Sequence, residues 1–152
     1  MGILTASWTV EIEAPRERVF AVAADVPASP AWQPALATVE TVESDERGRA
    51  VLVDTTSDAV VKKTRQRLRF SYEDEPAGMS WTQLSGDVKS LEGSWAFAEL
   101  AAERTAATFE LIVDPGRMLG MLLRGPVEGR VKEFLTKGAA EGLKGHVEAA
   151  RG

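Results

Sequence analysis

Between residues 36 and 114 the chain is cut into short lengths by turn-rich stretches, SDERGR, TSD, DEPAG, SGD and AAER. No length between them can hold a helix long enough for a parallel crossover, and strands joined through tight connections pair antiparallel. The spacing therefore predicts six strands in a meander, with one curved sheet as the economical arrangement. Side-chain parity assigns the faces. In QRLRFSY, Leu68, Phe70 and Tyr72 share one side and Arg67 and Arg69 take the other, with Arg65 extending the basic stripe. In SLEGSWAF the inward set is Leu91, Gly93, Trp95 and Phe97, and in ATFELIV it is Phe109, Leu111 and Val113. The arginine stripe then reads as a solvated outer face beside acidic neighbours.

A seventh strand precedes the meander. SWTVEIEAP alternates Trp8, Val10, Ile12 and Ala14 against Ser7, Thr9, Glu11 and Glu13. Helical spacing follows in PRERVFAVAAD, opened by Pro15 and striped by Val19, Phe20, Val22 and Ala23. The stretch ASPAWQPALATVE then sets Trp32 between Pro30 and Pro34, where neither a long helix nor a central strand passes undisturbed. A large ring on a stiff, irregular segment is presented at low entropic cost, either to a cavity mouth or as a cap on the core.

After the meander, about Val127 to Ala150 reads as a long helix started by Pro126, with an inward stripe of Val127, Val131, Phe134, Leu135, Gly138, Gly142 and Val147. Gly138, Gly142 and Gly145 each lower helix propensity by about 1 kcal/mol relative to Ala. Close approach of helix to sheet offsets that loss, or the bare positions leave room for a ligand. Before this helix, GRMLGMLLRG holds Met118, Leu119, Met121, Leu122 and Leu123 between Arg117 and Arg124. Burial beneath the sheet is the expected use, and a lid opening toward a membrane or partner is the alternative.

Composition removes several chemistries. With 152 residues the chain has the length of one domain, residues 1–152, able to bury roughly 70% of its unfolded surface. It has no Cys, which excludes disulfides, thiolate metal sites and Cys nucleophiles, and a single His, His146, which reads as a solvated residue in a last helical turn. A formal net charge of -5 argues against nucleic acid as a partner. The start MGILTASWTV lacks signal-peptide features, and the longest strongly apolar run, MLGMLL, is too short to cross a bilayer. The expectation is a cytoplasmic protein without stable membrane insertion and without metal or organic cofactor; a homodimer is left open.

Strand, helix, broken segment, meander and long helix add up to an α+β fold, a curved antiparallel sheet of about seven strands around the C-terminal helix, with two short helices after the first strand. In APRERVFAVAADVPASPAWQPALATVETVESDERGR, MSWTQLSGDVKSLEGSWAFAEL, ATFELIVDP and GLKGHVEAA the chain resembles the START-like, or SRPBCC, superfamily, in its polyketide cyclase/dehydrase branch that includes coenzyme Q-binding proteins. The resemblance implies the helix-grip (Bet v 1-like) fold and a deep apolar pocket between sheet and helix. Its functions run from lipid or quinone carriage to cyclisation of aromatic polyketide chains, so the fold alone does not fix an activity.

Together these give a hydrophobic small molecule (lipid, quinone or polyketide-like) as the expected ligand, with Trp32, Leu68, Phe70, Trp81, Trp95, Phe97, Phe109, Met121, Leu122, Phe134 and Gly138 as cavity candidates. The alternatives are a polyketide aromatase/cyclase and a protein-interaction module. A cyclase needs polar groups inside the cavity, and parity leaves chiefly Tyr72, Gln66, Gln83 and Asp54; catalytic residues stay unassigned.

Overall fold

A computed structural model describes residues 3–58 and 62–150. Strand β1 (Leu4–Ile12) leads to helix α1 (Arg16–Ala24) and a 3-10 segment (Val26–Ala31). Strands β2 (Leu36–Ser44), β3 (Ala50–Asp58), β4 (Lys63–Ser71), β5 (Gly78–Gly86), β6 (Ser90–Ala101) and β7 (Arg104–Asp114) follow, then helices α2 (Gly116–Leu122) and α3 (Pro126–Ala149). The strands form one antiparallel sheet in the order β1-β7-β6-β5-β4-β3-β2, the expected meander with β1 closing onto its last strand.

Alternation decides the register because a slip of one residue would turn every inward ring to solvent. Trp8 and Trp95 both lie opposite Phe109, and Trp81 lies between Phe70 and Gly93. These rows bring the rings together: Trp95 meets Phe109 edge-on at 4.8 Å, Phe70 stacks on Trp81 at 5.3 Å, and Trp81 reaches Phe109 at 5.7 Å. Gly93 is what lets Trp81 lie flat, since a Cβ there would overlap the indole. The outer face is as expected, with Arg67 bidentate on Asp54 at 2.7 and 2.8 Å and Arg69 paired with Glu43. Asp54 therefore belongs to the outer surface and drops out as a cavity group.

Helix α3 buries Val131 and Val147 of the expected stripe, but the rest of its packed face differs from the expected one. Its buried residues are Val131, Thr136, Ala139, Ala140, Leu143 and Val147, whereas Val127, Phe134, Leu135, Gly138 and Gly142 are only half-buried. The correction has a steric cause. Small residues bring the helix close to the sheet, so Ala139 and Ala140 occupy the seam and the larger Phe134 turns away from it.

The three glycines separate into different roles. The carbonyl oxygen of Trp32 lies against the bare Cα of Gly142, where a Cβ would overlap it, and Pro34 lies 3.7 Å from a Cβ built on Gly138. The Trp32–Pro34 segment thus rests in a notch that the (i, i+4) pair Gly138 and Gly142 cuts into α3. Around Gly145 there is open space. Gly145→Ala should therefore raise unfolding free energy by about 0.5–1 kcal/mol by restoring helix propensity, read as a shift in urea midpoint at constant slope.

Candidate ligand-binding site

The sheet's concave face and α3 do not close completely, and they leave an internal cavity of about 150 Å³. Its floor is the inward row of the meander, with Leu68, Phe70, Trp81, Trp95, Phe109 and Leu111. Val131, Lys132, Leu135 and Thr136 of α3 form one wall. The 3-10 segment and the residues after it close the cavity through Val26, Ser29, Trp32, Ala35 and Leu36, and Pro115, Leu119 and Leu123 close it beside α2. Trp32 sits 6.2 Å from Trp95, centroid to centroid, so the ring between the prolines does reach the cavity.

Five further candidates stand elsewhere. Phe97 is fully buried but lies under α1, edge-on to Phe20 at 6.2 Å, so it is core rather than lining. Phe134 and Gly138 line a shallow groove on α3 with Arg130 and Glu141, because the helix turns its smaller residues to the sheet. Met121 and Leu122 point away from the cavity. With Met118 they are 59%, 52% and 81% exposed respectively, and no residue of α2 is buried. Burial beneath the sheet is thereby overturned for Met118, Met121 and Leu122, while Leu123 is buried and Leu119 half-buried. Among the described residues nothing covers the outer side of α2, and its inward contacts come from Leu119 and from Leu123 just beyond it.

The cavity has one polar end. Thr55 and Ser57 on β3 and Thr64 and Gln66 on β4 project into it, with Thr55, Thr64 and Gln66 buried. Gln66 is the hub: its Nε2 donates to the Thr64 hydroxyl at 2.6 Å, while its Oε1 accepts from Ser57 at 3.2 Å and Thr55 at 3.4 Å. Parity names Gln66 as inward; the structure adds Thr64 on the same strand and Thr55 and Ser57 on β3 at the same level. The charged lining residues are Lys62, which is exposed, and Lys132, which pairs with Glu128 at 3.4 Å. No Asp, Glu, His, Arg or Tyr lines the cavity among the described residues.

The other polar candidates are committed to structure. Gln83 Nε2 donates to the Val88 carbonyl at 2.9 Å and stays outside the cavity. Tyr72 donates its hydroxyl to the carbonyl of Ala50, under an Arg49 guanidinium 4.4 Å from the ring centre. Burial pushes the Tyr72 phenol up to about 12, with the Arg49 charge opposing it. The folded chain then keeps a proton that the unfolded chain releases near pH 10, so this contribution is complete below about pH 10 and is lost as pH rises toward 12. The denaturation midpoint should fall across that window, and Tyr72→Phe should flatten the fall.

Residues 12–137 match the model of the family described as polyketide cyclase/dehydrase and lipid transport. The chain belongs to this family. No curated protein matches it. Among solved structures it is similar to a START superfamily protein from Mycobacterium smegmatis, with 20% identity, TM-score 0.83, and coverage of 98% of this chain and 99% of that one. A protein from Thermus thermophilus is similar at 24% identity and TM-score 0.84, over 98% of this chain and 100% of that one. The Zhui aromatase/cyclase from Streptomyces sp. R1128 is similar at 20% identity and TM-score 0.77, over 99% and 97%. At these identities the likeness is one of fold: the START-like helix-grip arrangement. No helix among the described residues is long and apolar enough to cross a membrane.

Proposed function

We propose that residues 1–152 form a single binding domain for a hydrophobic small molecule, held between the sheet and α3. The observation that carries this reading is the lining itself: aromatic and aliphatic side chains surround a hollow in which, among the described residues, the buried polar groups are neutral. Aldol closure and dehydration need a proton acceptor beside an acidic carbon, and neither hydroxyls nor a carboxamide do that work near neutral pH. The same lining therefore supports binding over cyclisation.

Size narrows the ligand. A cavity near 150 Å³ is on the scale of one benzene ring, whereas drug-sized ligands occupy roughly 300–1,000 Å³. One ring, such as a quinone head, fits the closed form. A longer molecule requires a wall to move, and α2, with no buried residue, loses the least packing by moving.

Mass spectrometry of natively purified protein, before and after organic extraction, tests the reading. A stoichiometric hydrophobic species that leaves on extraction is the expected result. An empty protein that also shows no saturable displacement of a hydrophobic dye would overturn it.

A further inference from the structure

We infer that α2 docks the protein peripherally on the headgroup layer of an anionic lipid bilayer, an inference that stands apart from the cavity reading. Met118, Met121 and Leu122 are exposed on this one short helix. Leu4 and Met121 line a common surface groove, and Ile3, next in the chain to Leu4, is exposed as well. The other exposed large apolar residues, Val42, Leu84, Leu100 and Ile112, each lie on a different strand, which is ordinary for a protein surface. Those of α2 form a patch. Its ends turn through left-handed glycines, Gly116 at φ 84° and Gly125 at φ 66°, so α2 stands out as a tip between β7 and α3.

Charge selects the partner. The chain carries a formal net charge of -5, yet the rim of this patch is basic: Arg117 and Arg124 bracket it, and Lys89 lines the same groove. The acids of the groove are already paired, Asp114 with Lys89 at 3.9 Å and Glu128 with Lys132 at 3.4 Å. Neither arginine has an acidic partner among the described residues. Flexible apolar side chains between free guanidinium groups sink into the boundary of headgroups and acyl chains while the cations meet lipid phosphates. A protein partner fits less well. With seven residues α2 falls short of the roughly 20–30 residues a side of a stable interface, and it carries no Trp or Tyr as an anchor. A second copy across a two-fold axis would set the arginines of both chains against one another.

Co-sedimentation of the whole protein with vesicles tests the inference, comparing phosphatidylcholine alone with an equimolar mixture of phosphatidylcholine and phosphatidylglycerol. The mixed vesicles should bind about twenty-fold more tightly, and added salt should narrow the difference. Arg117→Gln and Arg124→Gln should each weaken binding to mixed vesicles about five-fold. Met118→Gln combined with Met121→Gln, uncharged and close to Met in shape, should weaken it about ten-fold or more. All four positions are exposed, so the denaturation midpoint should stay unchanged. Leu84→Gln, at an exposed apolar position on β5, should leave vesicle binding unaltered. No binding to either vesicle, equal binding to both, or binding that survives the α2 substitutions or falls as far with Leu84→Gln would overturn the inference. So would a dimer in sedimentation velocity that the double Met variant dissolves while the parent ignores vesicles, which would assign the patch to a second copy. Each of these outcomes leaves the cavity reading untouched.

Discussion

Gly142→Ala should destabilise the protein by about 2–3 kcal/mol and abolish ligand uptake together. Helix propensity alone predicts the opposite sign, since Ala exceeds Gly by about 1 kcal/mol inside a helix. The steric effect wins because the atom in the way is the backbone carbonyl of Trp32, which cannot swing aside as a flexible side chain could. Either α3 retreats from the sheet, loosening the seam at Ala139 and Ala140, or the Trp32–Pro34 segment lifts and opens the cavity roof. Overpacking of this kind costs about 1–3 kcal/mol, and the strain adds to the lost contacts of Trp32. Chemical denaturation reads the first effect and dye displacement the second. Gly145→Ala in the same helix is the internal control, with a small change of opposite sign and unaltered uptake. A neutral Gly142→Ala would show that the notch plays no part in holding the roof.

The contrast between these two glycines shows what could be read from the sequence and what could not. Three glycines in one helix signal that something offsets their loss of helix propensity, yet only the path of the preceding segment shows that Gly142 is required and Gly145 is not. The meander was legible because tight turns and strict alternation each point to the same register, so the sequence alone places Leu68, Phe70, Trp95 and Phe109 inward. Where the inward row divides into core and cavity was not legible. Phe97 and Trp95 share a face and stack at 5.7 Å, but α1 crosses over one of them and not the other, and Phe20 fills the space above Phe97. The direction of α2 was equally hidden. An apolar run between two arginines has the composition of a buried turn, yet among the described residues nothing covers Met118, Met121 and Leu122, which stand in water. At Gln66 the strand parity sufficed, because a buried face admits a polar residue only where partners lie at the same level, and β3 provides them.

Trp95→Ala should lower unfolding free energy by about 3–5 kcal/mol, and Trp32→Ala by less, although both rings are buried and touch each other. Trp95 lies at the centre of the aromatic cluster, against Trp32, Phe97 and Phe109, and its removal breaks three ring contacts above the middle of the sheet. A loss of that size is a large share of the roughly 5–15 kcal/mol that holds a domain folded. Trp32 contributes less for a specific reason. Its Nε1 is buried without an acceptor, which subtracts about 1–3 kcal/mol from what burying the indole gains, and Trp32→Ala removes that penalty along with the ring. The order should reverse for binding, measured on whatever fraction stays folded. Trp32 walls the cavity from an irregular segment seated in the α3 notch, so without the ring the hollow opens to solvent and a bound apolar molecule loses its enclosure. Trp32→Phe isolates the cause, since it keeps an aromatic wall and deletes only the unmet donor with part of the ring: stability should stay within about 1 kcal/mol of the parent, against a larger loss for Trp95→Phe. If the two tryptophans instead lose stability and binding in the same proportion, Trp32 is ordinary core and the prolines on either side of it serve packing alone.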